Sequence, residues 1–362
     1  MRLGWILAAA VLAVAGCSGE DGSGAAGGSG GAAGAAGAGG TGGTGGGGEG
    51  GGGAGGSGGD GGTGGTIVIP SHETDVGWEP QVPSAIEDPS DPGYPLNEEA
   101  RPASCGSEHG YFSVVRGWIA APGGEPLAGA KAQLCVYSSA GQYACLSPAT
   151  TDEEGVYTIS VQNDFRCFDE AAIRLLQYDS YRATTYCPID LSVESGVRLT
   201  APGVLPFANP ALDLPPLGDP EVAREVRFED GLTMSVTPSL FVPDDSKTSY
   251  RNFAGRRVST EAVGLCGDAP SFDGVFALYP EGQVEGPGFP LRFPNDDGWA
   301  PGTKVDLFVL GGVACYVGDA RVPEAAWAKF GEGTVSDDGA FVVSDENAGL
   351  PCFTWLAYRA KE

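Results

Sequence analysis

The stretch TDEEGVYTISV, residues 151–161, combines a turn with a strand whose apolar residues recur at every second position. Tyr157 and Ile159 lie on one face of such a strand, and the acidic, glycine-containing residues before them are typical of a tight turn. The same period-two pattern occurs earlier in the chain, at residues 115–119 and 130–136. Short alternating runs between Gly/Pro turns predict an all-β fold built from β-sandwiches.

The alternating pattern continues beyond a proline-rich stretch, as in KVDLFVL at residues 304–310. One short exception is AAWAK at residues 325–329, which we expect to form a helical turn. We therefore predict two tandem β-sandwich domains that follow a disordered Gly-rich tether. The predicted segments are a signal peptide (1–17), a Gly-rich linker (18–65), an acidic, Pro-rich extended segment (66–109), a first sandwich (110–205), a Pro-rich linker (206–220) and a second sandwich-like domain (221–362).

The first residues carry an export signal. Arg2 precedes an apolar run, WILAAAVLAVA, that is shorter than the roughly 20 residues needed to cross a bilayer. The run ends at VAGC, residues 14–17, which resembles a bacterial lipobox. The resemblance implies cleavage before Cys17 and acylation of that cysteine, which ties the chain to a membrane. Cys17 is followed by Ser18 rather than by aspartate, the residue associated with inner-membrane retention of such lipoproteins in enteric bacteria. We therefore expect an outer-membrane lipoprotein of the bacterial cell envelope, facing the periplasm or the cell surface. A secretory peptide cleaved elsewhere is the alternative.

The composition divides the chain into a glycine-rich arm and an ordinary remainder. About half of the 61 glycines fall between residues 18 and 65, where large apolar residues are missing. Such a segment cannot offset its backbone entropy, so we expect it to be disordered. The formal net charge is -27, from 47 acidic and 20 basic residues. This charge argues against a nucleic-acid partner, because binding to phosphates needs a basic face.

Three motifs of the first predicted sandwich occur in the order found in one known family. They are VRGWI at 115–119, GEPLAGA at 124–130 and TDEEGVYTI at 151–159. Over residues 110–200 they resemble the carboxypeptidase regulatory-like family, which implies a transthyretin-like β-sandwich without catalytic residues of its own. Farther along, PGTKVDL at 301–307 and GTVSDDG at 333–339 are faintly similar to ZU5-like domains.

Of the nine cysteines, eight follow the candidate lipid anchor Cys17. An even set in an exported chain predicts disulfides, and the missing C-x-x-C spacing argues against a zinc ribbon. Five of the eight precede the second sandwich, so complete pairing requires at least one bridge between the two parts. The pairs that we expect are Cys135–Cys145, Cys167–Cys187, Cys105–Cys266 and Cys315–Cys352.

The sequence offers no catalytic constellation. Its two histidines, His72 and His109, both precede the predicted sandwiches, which argues against Ser-His-Asp chemistry. The acid pairs at turn-like positions are Asp244-Asp245, Asp296-Asp297 and Asp337-Asp338. Asn295, Asp296 and Asp297 are the best calcium candidates, although acids before glycine are also ordinary turn residues. We expect no cofactor.

Tyr178, Tyr181 and Tyr186 are candidate rings for stacking on sugars, although tyrosine is also favoured at half-buried strand positions. We expect a non-enzymatic, lipid-anchored envelope protein that displays disulfide-braced β-sandwiches for structural or adhesive interactions. The alternatives are a carbohydrate-binding module and an accessory subunit of a separate secreted enzyme. The expected partners are the membrane, through the N-terminal lipid, and a protein or glycan ligand.

Overall fold

The computed structural model describes residues 82–87, 101–138, 141–162, 166–178, 180–191, 196–212, 214–259 and 271–361. They belong to one compact unit, Gly64–Glu362. The predictions for Cys17, for the Gly-rich tether, for His72 and for Cys266 lie outside the described residues. Within these residues, no helix has the length and apolar character needed to cross a membrane.

The described chain is all-β, as predicted, apart from a four-residue helix and short 3-10 turns. We call residues 110–205 the first half and residues 221–361 the second half. The helix α1 is Ser84–Glu87, and the strands of the first half are β1 (Gly110–Tyr111), β2 (Val114–Ala120), β3 (Lys131–Ser138), β4 (Tyr143–Cys145), β5 (Ala149–Thr150), β6 (Val156–Ser160), β7 (Cys167–Leu176), β8 (Thr185–Pro188), β9 (Val197–Arg198) and β10 (Gly203–Val204). The strands of the second half are β11 (Arg224–Arg227), β12 (Thr233–Val236), β13 (Phe241–Pro243), β14 (Ala254–Val258), β15 (Gly274–Val284), β16 (Leu291–Pro294), β17 (Lys304–Leu310), β18 (Tyr316–Val317), β19 (Ala320–Arg321), β20 (Trp327–Val335), β21 (Phe341–Ser344) and β22 (Cys352–Ala360).

The first half is a sandwich of two sheets. One sheet has the order β1-β7-β3-β4, with β5 beside β3 and β8 beside β7; the other has β2 between β6 and β10, with β9 also beside β2. Tyr157 and Ile159 of β6 are buried in the core between them, whereas Thr158 and Ser160 are exposed. The alternation read from the sequence is therefore the alternation between core and solvent.

The turn before β6 is built from its own polar residues. The Asp152 side chain accepts hydrogen bonds from the amides of Glu154 at 3.0 Å and Val156 at 2.9 Å. Gly155 has a φ of 75°, and a Cβ there would lie 2.4 Å from the carbonyl oxygen of Ile119. Only glycine fits this position without displacing the backbone of β2.

The second half is a curled sheet around its own core. The strand order is β11-β12-β16-β21-β20-β17-β22-β15-β13, with β14 beside β15. Val226 of β11 and Phe241 of β13 stand near opposite ends of this order, yet they are buried in the same cluster. The sheet must therefore bend so that its two ends approach each other. Phe253 and Phe353 stack inside it, with ring centroids 4.3 Å apart.

The two halves also share a core. Tyr186 and Val204 of the first half pack in one cluster with Val275 and Trp355 of the second. The Trp355 indole nitrogen donates a 2.6 Å hydrogen bond to the carbonyl oxygen of Thr184. Strand β22 is therefore buried on both faces, which explains why it reads as a nearly continuous apolar run.

The predicted Pro-rich linker, residues 206–220, lies between β10 and β11 and contacts both halves. Phe207 forms an isolated bridge with Arg182, and Pro210 forms one with Ala254. The helical turn predicted at residues 325–329 is wrong, because Trp327 begins strand β20. The Trp327 ring packs edge-on against Phe272, 4.8 Å between centroids, so tertiary packing overrides the local pattern.

The sequence predicts extended chain over residues 66–109, but the structure places helix α1 within it. Ile86 of α1 is fully buried against Trp118, Ala120 and Val156, on the outer face of the β2 sheet. One helical turn presents Ile86 to that face and lets Ala85 pack partly against it, while Ser84 and Glu87 remain exposed.

Two of the expected disulfides are confirmed. Cys135 pairs with Cys145, directly opposite it in the β3–β4 register, and Cys315 pairs with Cys352. Cys187 is disulfide-bonded as well. These bonds fit an exported protein, because disulfides form and persist in oxidising compartments.

The expected Cys105–Cys266 and Cys167–Cys187 pairs are wrong, because Cys105 is bonded to Cys167. The reason is the edge strand β1, which pairs with β7 and sets Tyr111 opposite Cys167. The turn before β1 brings Cys105 to the same edge, with a Cα–Cα distance of 5.8 Å. The expectation that a disulfide joins the two halves stays a prediction.

Replacing Ile86 tests whether α1 is a local attachment. We expect Ile86→Ala to lower the free energy of unfolding by less than the roughly 2–5 kcal/mol usual for a buried Ile→Ala change, because a four-residue helix undocks without opening the sheets. Hydrogen exchange of residues 84–87 should accelerate while the strands stay protected. Val222→Ala, at an exposed apolar residue, is the control. A loss of the full core penalty would show instead that α1 is integral to the fold.

The Glu332 carboxylate gives a pH dependence with a defined sign. Hydrogen bonds from Lys329 at 2.8 Å and Lys361 at 2.6 Å lower its pKa from 4.5 to about 2. Because the folded pKa is depressed, this stabilisation is present above the ordinary pKa and is lost as the pH falls towards 2.

We therefore expect Glu332→Gln to lower the unfolding temperature by a constant amount above about pH 5, with the difference from the unsubstituted protein vanishing near pH 2. Thermal unfolding at a series of pH values measures this. A difference that is the same at pH 2 and pH 7 would contradict the assignment.

Candidate functional site

A cleft opens where β7 of the first half meets β15 of the second. Its volume is about 350 Å³, and its walls come from both halves. The residues that give it its chemistry are Gln133, Arg174, Tyr178, Arg182, Asp244, Asp245, Thr248, Tyr279 and Glu281. Polar groups line the base, and tyrosines stand at the rim.

One row of side chains on the outer face of the first sandwich forms the base. Arg174 lies between Ile173 and Leu175, whose side chains point into the sandwich core, so the guanidinium projects from the opposite face. Gln133 of β3 and Tyr186 of β8 are directly opposite Arg174 in the strand registers. Three strands therefore present three polar side chains to the second half.

Glu281 of the second half contacts this row of polar side chains. Its carboxylate accepts hydrogen bonds from Arg174 Nε at 3.0 Å and Arg174 Nη2 at 2.7 Å. The Tyr186 hydroxyl donates to the other carboxylate oxygen, Oε1. The backbone amide of Val313 donates to both Tyr186 Oη, at 3.0 Å, and Glu281 Oε1, at 3.2 Å. Both carboxylate oxygens are thus satisfied although the side chain is only 4% exposed.

The charges of this cluster reinforce one another. Burial alone lowers the pKa of Arg174, but the carboxylate of Glu281, with a smaller effect from Asp244, outweighs burial and holds that pKa above its ordinary value. Burial and the Glu281 carboxylate raise the pKa of Tyr186 well above its ordinary value. The phenol therefore stays protonated and acts as a donor. Asp244, whose side chain is 24% exposed, forms a second ion pair with Arg174 at the open end of the cleft.

The rim of the cleft is aromatic. Tyr178 is 47% exposed. The ring centroids of Tyr279 and Tyr181 are 5.3 Å apart. Tyr181 has a φ of 54°, in the left-handed region that non-glycine residues rarely occupy, and its ring also contacts Phe207 at 6.5 Å. Of the three tyrosines predicted as exposed rings, Tyr186 is wrong, because it is buried in the core that the halves share.

Among the calcium candidates, Asn295 stabilises a turn and Asp296 forms an ion pair. The Asn295 side chain donates to the carbonyl oxygens of Trp299 and Gly339 and accepts from the Trp299 amide. Asp296 pairs with Arg257 at 2.5 Å. Burial, together with Asp273 and Asp296, raises the pKa of Asp297 against the opposing effect of Arg257. In the described part of the chain, no cluster of three or more His, Cys, Asp or Glu residues is arranged for a metal ion.

Asp338 and the described histidine both have protein partners. Asp338 accepts hydrogen bonds from the Ser336 hydroxyl at 2.6 Å and the Ala340 amide at 3.0 Å, as expected for a turn. His109 Nδ1 lies 2.5 Å from Asp169 Oδ1. Asp244 and Asp245 are the acid pair that the fold brings to the cleft.

Arg174 and Glu281 were not among the predicted site residues. The available signal was a charged residue inside an otherwise apolar strand, as in Ile173-Arg174-Leu175. A charged residue that the strand pattern directs to the far face requires a partner on another element, but a single sequence does not name that partner.

Comparison with known proteins does not assign the cleft. Neither a protein-family model nor a curated protein matches the chain. The resemblances to carboxypeptidase regulatory-like and ZU5-like domains therefore stay predictions, and the cleft is interpreted from its own chemistry.

Replacing Glu281 should leave the buried guanidinium with a weaker set of partners. We expect Glu281→Gln to lower the free energy of unfolding by about 3–5 kcal/mol, because Arg174 loses its buried carboxylate partner and keeps only Asp244, at the open end of the cleft. Asp244→Asn is the matched control and should cost less, since water replaces that partner at the open end. Equilibrium urea denaturation measures both.

The double variant Arg174→Met/Glu281→Leu should recover most of the loss, since apolar replacement of a buried ion pair is often neutral. A Glu281→Gln protein as stable as the unsubstituted one would show that the pair does not join the halves.

Proposed function

We propose that this chain is a non-enzymatic, lipid-anchored protein of the bacterial cell envelope that displays its two β-sheet halves as one rigid body for structural or adhesive interactions. Cys17 is the proposed anchor, and the outer membrane is the proposed location. The resemblance to a carboxypeptidase regulatory-like module, which lacks catalytic residues, supports a role other than catalysis.

The observation that carries this proposal is the Glu281 network. Inter-domain contacts within a chain are usually polar and allow relative motion. Here a buried carboxylate of the second half accepts hydrogen bonds from Arg174 and Tyr186 of the first half and from the Val313 amide, so separating the halves exposes a charge network and the apolar cluster around Trp355. A body with fixed geometry suits display at a surface.

The same network argues for structure rather than catalysis. Catalytic acids and bases need a free position at which a substrate proton is taken or given. Both Glu281 oxygens already have protein donors, and the Arg174 guanidinium donates to Glu281, Asp244 and Gln133. The groups are therefore committed to one another, as in a structural ion pair.

The negative net charge of the chain fits a protein that is attached to the membrane only through its lipid. A chain with a net charge of -27 is repelled by an anionic membrane surface, so protein–lipid charge attraction does not hold it there. Acyl chains on Cys17 supply the attachment, since two or more chains anchor a protein stably. A glycine-rich segment of the length predicted for 18–65 reaches roughly 35–40 Å, which lifts the folded body from the headgroups.

Substitution of the anchor tests this proposal. Expressed at full length in a Gram-negative host, the protein should incorporate labelled palmitate and sediment with membranes. Cys17→Ser should abolish both, because the thiol is the acylation site, while the released protein keeps its disulfides. Cys105→Ser, which removes a structural cysteine, should keep the label.

Display itself is tested by protease treatment of intact cells and by attachment assays. Cells that carry the anchored protein should lose it to protease and should adhere better than cells that produce Cys17→Ser. A Cys17→Ser protein that remains in the membrane fraction would refute the anchor, and unchanged adhesion by a surface-exposed protein would refute the adhesive role.

A further inference from the structure

We propose that the cleft between the halves binds a neutral carbohydrate, with Tyr178 as the stacking ring and Asp245 as a hydrogen-bond acceptor for sugar hydroxyls. This inference goes beyond display, because it gives the rigid body a ligand and a place to bind it, and it does not depend on the anchor.

The size of the cleft fits a short sugar. Its volume of about 350 Å³ lies at the lower end of the range for small-ligand sites, enough for about one or two pyranose rings. Such sites combine aromatic walls with a few fixed polar groups, and this cleft has both. Tyr178 and Tyr279 supply rings, and the 244–248 loop supplies oxygens.

The hydrogen-bonding groups suit hydroxyls, which both donate and accept. Asp245 accepts from the Lys247 amide at 3.0 Å through one oxygen, Oδ1, and its carboxylate has further acceptor capacity. The Thr248 hydroxyl donates to the Asp245 carbonyl oxygen at 2.9 Å, which leaves its own lone pairs to accept from a ligand. A polyhydroxylated ligand satisfies such a wall at several points without bringing a charge.

The charge balance disfavours an anion. The lining holds two guanidinium groups, Arg174 and Arg182, against three carboxylates, Asp244, Asp245 and Glu281. Arg174 is committed to Glu281 and Asp244, and Arg182 donates to the carbonyl oxygen of Leu205 at 2.6 Å. A ligand anion would meet a net negative lining on a chain of charge -27.

The site is held in place before a ligand arrives. Tyr181 keeps a positive φ of 54° while its ring packs between Tyr279 and Phe207. Strained backbone of this kind persists only where its surroundings enforce it, and it is concentrated at functional sites. The Arg174–Glu281 pair fixes the base, so this part of the site needs no ordering when a ligand binds. Because the walls belong to both halves, a bound sugar also stabilises their junction.

The test is calorimetric titration of the full-length, disulfide-bonded protein. The probes are neutral gluco-, manno- and galacto-oligosaccharides, an anionic uronic-acid oligosaccharide and the cation spermidine. We expect at least one neutral oligosaccharide to bind, with an affinity that stays constant between low and high salt, because no charge is neutralised. It should also raise the unfolding temperature.

Two variants assign the binding to the cleft. Tyr178→Ala should weaken binding about tenfold or more, whereas Tyr316→Ala, at a tyrosine of similar exposure (40% against 47%) outside the cleft, should leave it unchanged. Asp245→Asn gives a second readout if Tyr178→Ala lowers stability, and it should also weaken binding.

Three outcomes would overturn the proposal. They are the absence of binding by every neutral probe at about 5 mM, salt-dependent binding of only the uronic acid or spermidine, and neutral binding that neither cleft variant affects. None of them bears on the anchor or on display, so a failure here is distinguishable from a failure of the proposed function.

Discussion

The carboxylate of Glu281 belongs to the second half of the chain, and its charge is neutralised by Arg174 of the first. Burying an ionised carboxylate costs several kcal/mol unless it is paired and hydrogen-bonded. Loss of its partners would therefore destabilise the folded protein. The guanidinium of Arg174 is also buried, so it likewise needs a carboxylate partner. Around this pair, Tyr186 and Trp355 complete a core that neither half would bury alone. The relative placement of the halves and the cleft above the pair depend on that contact.

Much of the fold could be predicted because its signals are local. Tyr157 and Ile159 alternate with polar residues along one strand, and Asp152 and Gly155 define the turn before it within a few positions. The Cys135–Cys145 bridge follows in the same way, since a short hairpin sets the two residues opposite each other. Each of these predictions needed only the period of a strand or the geometry of one turn.

The predictions that were wrong concern features set by contacts between distant strands. Cys105 meets Cys167 only because β1 pairs with the edge of β7, a register that nothing near Cys105 encodes. Tyr186 follows the pattern of a half-exposed strand tyrosine, yet the second half covers it. The row formed by Gln133, Arg174 and Tyr186 comes from three strands, so the cleft could not be located before the sheet order was known.

If the Glu281 contact joins the two halves, they open as one cooperative body. Native-state hydrogen exchange along a urea series tests it directly, because it reports the opening free energy of each strand separately. The slowest amides of β7 in the first half and β22 in the second should converge on one opening free energy with the same urea dependence. If the β7 amides exchanged through a separate, lower-energy opening while β22 stayed protected, the halves would be independent, and the Glu281 contact would not hold them together.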